Sequence, residues 1–141
     1  MNDQSKTGRG ERPPTTMYGV LGIIRRQDRL LMIQRSATVR VPLAWCFPGG
    51  TIEKGESQDE ALVREMREEI HVEVAPGALL MTQTKHEGRL VLYCWSAEIL
   101  SGEPRPNPKE VARIEWLTPT EIRAWDGMLP GTIDILDVIG L

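Results

Sequence analysis

Residues 49–72, GGTIEKGESQDEALVREMREEIHV, constrain this chain more than any other segment. A Gly-Gly turn leads toward a helix on which Glu65, Glu68 and Glu69 crowd about one turn. Like charges so close repel one another and add nothing to a core, so a cation must sit against them, and a divalent metal is the obvious candidate. Ser57 and Glu60 form a Ser-x-x-Glu capping box that starts the helix. At about 100° per residue, Leu62, Val63, Met66 and Ile70 share an apolar stripe, with the acids on the neighbouring arc and Ala61 leaving room beside them. Glu60, Arg64 and Glu68 follow one another at i, i+4 spacing, which predicts that Arg64 bridges the other two. Gly49 and Gly50 let the preceding loop approach closely and bring a backbone carbonyl to the same ion, and Glu56 stands near enough to join or support the cluster.

Taken alone, REMREE fits any solvated helix face. The longer spacing is what singles it out. Gly50, five residues, Glu56, seven residues, then Arg64-Glu65-Met66-x-Glu68-Glu69-x-x-Val72 resembles the Nudix box. One position departs from that pattern, because His71 stands where the family usually has Gly. A Gly there lets the chain leave the helix with positive φ, a region His enters more readily than most side chains, at a cost of about 1 kcal/mol.

The rest of the chain reads as one mixed α/β domain over residues 17–141, preceded by a polar, flexible tail over residues 1–16 that does not resemble a signal peptide. Met17 to Arg26 and Arg29 to Arg35 predict a hairpin around Gln27-Asp28. LAWCFP at 43–48 is an extended approach to the glycines, and Thr51-Ile52-Glu53 a further short strand. Ala78 to Lys85 and Arg89 to Glu98 flank a second turn at His86-Glu87-Gly88. A Pro-rich loop from Leu100 to Pro108 precedes a strand from Val111 to Leu117. Thr118-Pro119-Thr120-Glu121 caps another helix, and Leu129 to Leu141 forms a last short helix or docked tail. This order, with the acidic helix in the middle, resembles the Nudix α/β/α sandwich and its mixed sheet; the GIIRRQDRLLMIQRS, WCFPGG and GEPRPNPKEVARIEWL stretches resemble MutT-type nucleotide pyrophosphohydrolases.

Composition narrows the partners. A net charge of -3 argues against wrapping long nucleic acid, and no apolar run approaches a membrane span. Cys46 and Cys94 form no metal motif and are expected as buried free thiols in a reducing, cytoplasmic setting.

The resemblance implies hydrolysis of a nucleoside diphosphate linked to another moiety, with Mg²⁺, or Mn²⁺ in its place, as the cofactor. It assigns the ion to Glu65 and Glu69, with Glu68 and the Gly49 carbonyl assisting, and gives Gly50, Glu56 and Arg64 supporting roles. Glu65, Glu68 and Glu110 are the candidates for general base. Arg35 reaches phosphates or is an exposed strand end, and Trp45 and Phe47 stack on a base or belong to the core. Lys85, His86 and Arg89 sit at a hairpin tip facing either substrate or water. A nucleoside triphosphate, oxidised or not, is the favoured small-molecule partner. ADP-ribose, a nucleotide sugar, a capped RNA end and a binding-only nucleotide module are the alternatives. A homodimer is an assembly the family allows.

Overall fold

The computed structural model describes residues 15–141, so the tail expected over 1–16 lies almost wholly outside the described residues. The elements run β1 (Met17–Arg26), β2 (Arg29–Arg35), β3 (Trp45–Cys46), β4 (Gly49–Thr51), α1 (Gln58–Ile70), β5 (Glu73–Lys85), β6 (Leu90–Ser101), β7 (Val111–Leu117), α2 (Pro119–Ala124) and α3 (Pro130–Ile139). The seven strands form one mixed sheet. β1 pairs in parallel with β6 and antiparallel with β4, and β5 closes that side against β6. The hairpin to β2 carries the chain to the other side, where β2 pairs antiparallel with β3 and β7.

Alternating burial explains why helices cover both faces. Along β2, Leu31 and Ile33 pack with Val20 and Ile24 against Ala61, Leu62, Met66 and Ile70 of α1. Their neighbours Leu30 and Met32 point the opposite way, toward Ile122 of α2 and Ile135 and Leu136 of α3. A strand buried on both faces reads as an unbroken apolar run, which is what RLLMIQR shows. The result is the expected α/β/α sandwich, with α1 and its acids on one face. Cys46 and Cys94 are buried free thiols. No described helix is long and apolar enough to cross a membrane.

Several strand limits differ from the sequence reading. In LAWCFP only Trp45 and Cys46 are in a regular strand. The strand expected at 51–53 begins earlier because Gly49 and Gly50 pair with Leu21 and Val20. A Cβ on Gly49 would overlap the Val20 carbonyl, so this close pairing needs glycine. β5 starts at Glu73 rather than at 78, since its ladder with β6 continues past Pro76 and absorbs Pro76-Gly77 as an irregularity. Pro is tolerated there because β5 is an edge strand. The turns at Gln27 and at His86-Glu87-Gly88 appear where predicted, all four residues with positive φ.

Met66 is fully buried between α1 and the sheet. Met66→Ala is therefore expected to lower unfolding free energy by roughly 2–5 kcal/mol, and Ile70→Ala by a similar amount. Urea titration followed by circular dichroism checks this; an unchanged midpoint would contradict the packing described.

Candidate active site

The capping box forms as expected: the Glu60 N–H donates to the Ser57 hydroxyl at 3.3 Å, and the Ser57 N–H to the Glu60 carboxylate at 2.9 Å. Glu60 is thereby committed to the helix start. Arg64 forms no hydrogen bond or ion pair with it, contrary to the i, i+4 expectation. The guanidinium instead grips Glu56 with two hydrogen bonds of 2.7 and 2.9 Å, Glu65 at 3.0 Å, Glu68 at 3.1 Å and the Thr51 carbonyl at 2.9 Å. The Arg64 fork, helped by the Glu53 N–H, holds the Glu56 carboxyl down at about 2. Arg64 is the hub that fixes the acids to the loop between β4 and α1.

At the far end of α1, His71 takes the left-handed cap with φ 61°, filling the role usually given to Gly. Beyond it the loop preceding β7 folds back along the helix end and delivers Glu110. One carboxylate oxygen each from Glu65, Glu69 and Glu110 lies within 4.8 Å of the others. Glu65 and Glu69 are only 8 % and 5 % exposed. Glu68, expected as a ligand, stands outside this trio with its side chain half exposed and paired to Arg64, because it lies round the helix on the solvent side.

Glycine shapes the floor of the site. A Cβ on Gly50 would collide with the Glu65 carboxylate. Gly49 meets the cluster through its N–H, which donates to Glu69 at 2.9 Å, whereas the expected link was through its carbonyl. Burial pushes the Glu69 carboxyl up to about 8; the Gly49 N–H opposes this, while Glu65 and Glu110 add to it. Burial also raises Glu65, against the pull of Arg64. A buried acid with one amide donor and acidic neighbours is unfavourable unless a cation joins it. An all-oxygen donor set suits a hard divalent ion, so the residues present fit a metal.

The expected base-stacking residues require correction. Phe47 is 1 % exposed and Trp45 3 % exposed, both in the core beneath α2 and α3, with Trp45 edge-on to Trp125 at 5.6 Å. Neither offers an open face for stacking. Arg35 is half-buried, its Nε bonded to the Arg40 carbonyl at 2.6 Å, and it lies near enough to act on both Cys46 and Glu69. Burial and Glu69 push the Cys46 thiol up to about 11, with Arg35 and Lys85 pulling the other way. Arg35 and Lys85 thus both bring positive charge near Cys46, and Arg35 also near Glu69. On the same face of β5 as Lys85, the Gln83 amide donates to the Gly131 carbonyl at 3.1 Å, and Thr132 is buried at the start of α3.

Comparison with known proteins identifies the family and the fold. A family model described as NUDIX domain matches residues 14–134. Over 120 residues the chain is 32 % identical to the CTP pyrophosphohydrolase of Escherichia coli, covering 84 % of this chain and 87 % of that one. It is 31 % identical over 109 residues to the 8-oxo-dGTP diphosphatase of the same organism, covering 75 % and 83 %. The MutT NUDIX hydrolase structure from Burkholderia pseudomallei shares the fold with a TM-score of 0.79 and 24 % identity, over 89 % of this chain and 98 % of that one. The matched span takes in the whole sheet and the acidic helix, and the chain belongs to the Nudix hydrolases, a family of pyrophosphohydrolases.

Proposed function

We propose that this enzyme hydrolyses a nucleoside triphosphate to the nucleoside monophosphate and pyrophosphate, with Mg²⁺ as its ion and Mn²⁺ as a working substitute. The observation that carries this reading is the trio of Glu65, Glu69 and Glu110 within 4.8 Å, two of them buried, with the Arg35 guanidinium close to Glu69. The names of the relatives support a triphosphate, since CTP and 8-oxo-dGTP are both of that class. The binding-only reading has less support, because Glu56, Glu65, Glu68 and Glu69 are all retained.

Glu65, Glu69 and Glu110 would hold the ion. When bound, it neutralises phosphate charge and makes a water easier to deprotonate. Around it, Arg64 keeps Glu65 oriented and Glu56 keeps Arg64 in place. Gly50 leaves the Glu65 carboxylate its space. Arg35 and Lys85 supply positive charge for the phosphates. Glu68 stands outside the trio and is reachable by solvent, so it can accept the proton that the attacking water gives up. Water adds at a phosphorus of the chain, the phosphoanhydride bond breaks, and pyrophosphate leaves with the bond's electron pair.

A panel of nucleoside triphosphates incubated with Mg²⁺ and resolved by anion-exchange chromatography is expected to yield monophosphate and pyrophosphate in equal amounts. Orthophosphate and diphosphate as the products, or no turnover of any member, would contradict the proposal. Glu69→Gln is expected to lower kcat by more than about a hundredfold, beyond the usual effect of residues that merely support a metal site.

The same substitution has the opposite effect on the metal-free fold. Because the folded-state pKa of Glu69 is raised to about 8, the folded chain holds a proton that the unfolded chain releases above its ordinary value of 4.5. Stability of the metal-free protein therefore falls as pH rises through that window. Glu69→Gln removes this loss while keeping an acceptor for the Gly49 N–H. In EDTA its Tm should exceed that of the unaltered chain at pH 8, and the gap should shrink toward pH 5. Thermal scans across that range check the sign; a lower Tm for the variant at pH 8 would oppose it.

A further inference from the structure

The last four carbonyls of a helix have no partner further along it and must find donors elsewhere. In α1 they are those of Arg67, Glu68, Glu69 and Ile70. The His71 N–H serves Arg67 at 3.2 Å. The other three are served by the loop before β7, which is distant in sequence. Asn107 covers two of them: its side-chain amide donates to the Glu68 carbonyl at 3.1 Å and its backbone N–H to the Glu69 carbonyl at 2.9 Å. The Arg105 N–H donates to Ile70 at 3.0 Å.

Asn107 is at the same time the origin of the turn that ends at Glu110. Its backbone carbonyl accepts from the N–H groups of Glu110 at 3.0 Å and Val111 at 2.8 Å, and its Oδ1 accepts from the Lys109 N–H at 3.2 Å. Ser36, buried at the end of β2, holds the other side: its N–H donates to the Glu110 carbonyl at 3.0 Å and its hydroxyl to the Lys109 carbonyl at 3.2 Å. One residue thus binds the carbonyls of two of the helical acids and, three positions later, presents the acid that completes the trio.

We propose that Asn107 is a positioning residue of the acidic site, docking the loop onto the end of α1 so that Glu110 reaches Glu65 and Glu69. Only Asn fits both tasks. Asp lacks the donor and would set a negative charge against the helix C-terminus, Gln is one methylene longer, and Ala keeps the backbone bonds but loses both side-chain ones. Glu110 is the one member of the trio that α1 does not carry, so its alignment depends on this anchor. The effect on ion binding rests on the metal reading given under Proposed function, whereas the docking itself does not.

The test pairs Asn107→Ala with Glu110→Ala, singly and together, and adds Asn107→Ser. Serine retains an acceptor for the Lys109 N–H but cannot reach the Glu68 carbonyl, so it removes the docking bond in a chain that still folds if alanine disturbs folding. Hydrogen exchange on the metal-free protein should show the amides of Ser36, Glu110 and Val111 exchanging at least about tenfold faster in both Asn107 variants, with α1 still protected. Mn²⁺ titration without nucleotide should show affinity lost by about tenfold in Asn107→Ala, in the range expected of residues that orient ligands. In the Glu110→Ala background the same change should have no further effect on affinity, because the two act as a unit. Unchanged exchange in the loop would overturn the proposal, as would an affinity loss that simply adds to that of Glu110→Ala. Absence of Mn²⁺ uptake by the unaltered chain would refute the metal reading instead, and exchange would still decide the docking.

Discussion

The structure turns on the burial of two carboxylates, Glu65 and Glu69, on one helix without an equal number of cations against them. Burying charge is among the costliest arrangements a protein can contain, and natural chains retain it where pairing or a metal offsets it. Here the internal compensation is partial. Arg64 reaches Glu65, and one backbone N–H reaches Glu69. Glu110 adds a third carboxylate rather than relieving the other two. The deficit is local to the site, and it is the physical basis for reading the trio as a divalent-ion site.

The architecture makes that arrangement tolerable. α1 is anchored by Ala61, Leu62, Met66 and Ile70, all fully buried, so repulsion among the acids cannot peel the helix from the sheet. Gly49 and Gly50 bring β4 tight against β1 on one side and against the Glu65 carboxylate on the other. α2 and α3 seal the opposite face with a second core, which is why the middle strands bury both of their faces. The site lies where helix, glycine strand and the loop before β7 meet, and each contributes something the others cannot.

How much of this was legible in the sequence depended on whether the interaction was local. The start of α1, its apolar stripe and the adjacent acids follow from spacing within one helix, and all appear. The helix exit at His71 was legible only as a position where Gly is usual and His costs more; that His71 adopts the left-handed φ there is seen in the structure. Arg64 as a bridge was visible, but its partners were half right: Glu60 is consumed by the cap, and Glu56 comes round from the loop to take its place. Trp45 and Phe47 were ambiguous because only α2 and α3, far along the chain, determine that they are covered. Glu110 could be named only as a candidate base, since its approach to Glu65 and Glu69 rests on bonds linking residues 36, 69 and 107 across the fold. Longer reach in sequence meant weaker signal.

The central claim is that Glu69 and its neighbours form a high-energy anionic site that a divalent ion relieves. Calorimetric titration of the metal-free protein with Mn²⁺, run at pH 7 in two buffers of different ionisation enthalpy, tests it most directly. With the Glu69 carboxyl raised to about 8, ion uptake must displace its proton. The account predicts binding with close to one proton released per protein at pH 7, and markedly less at pH 9. Binding without proton release at pH 7, or no binding at all, would contradict it.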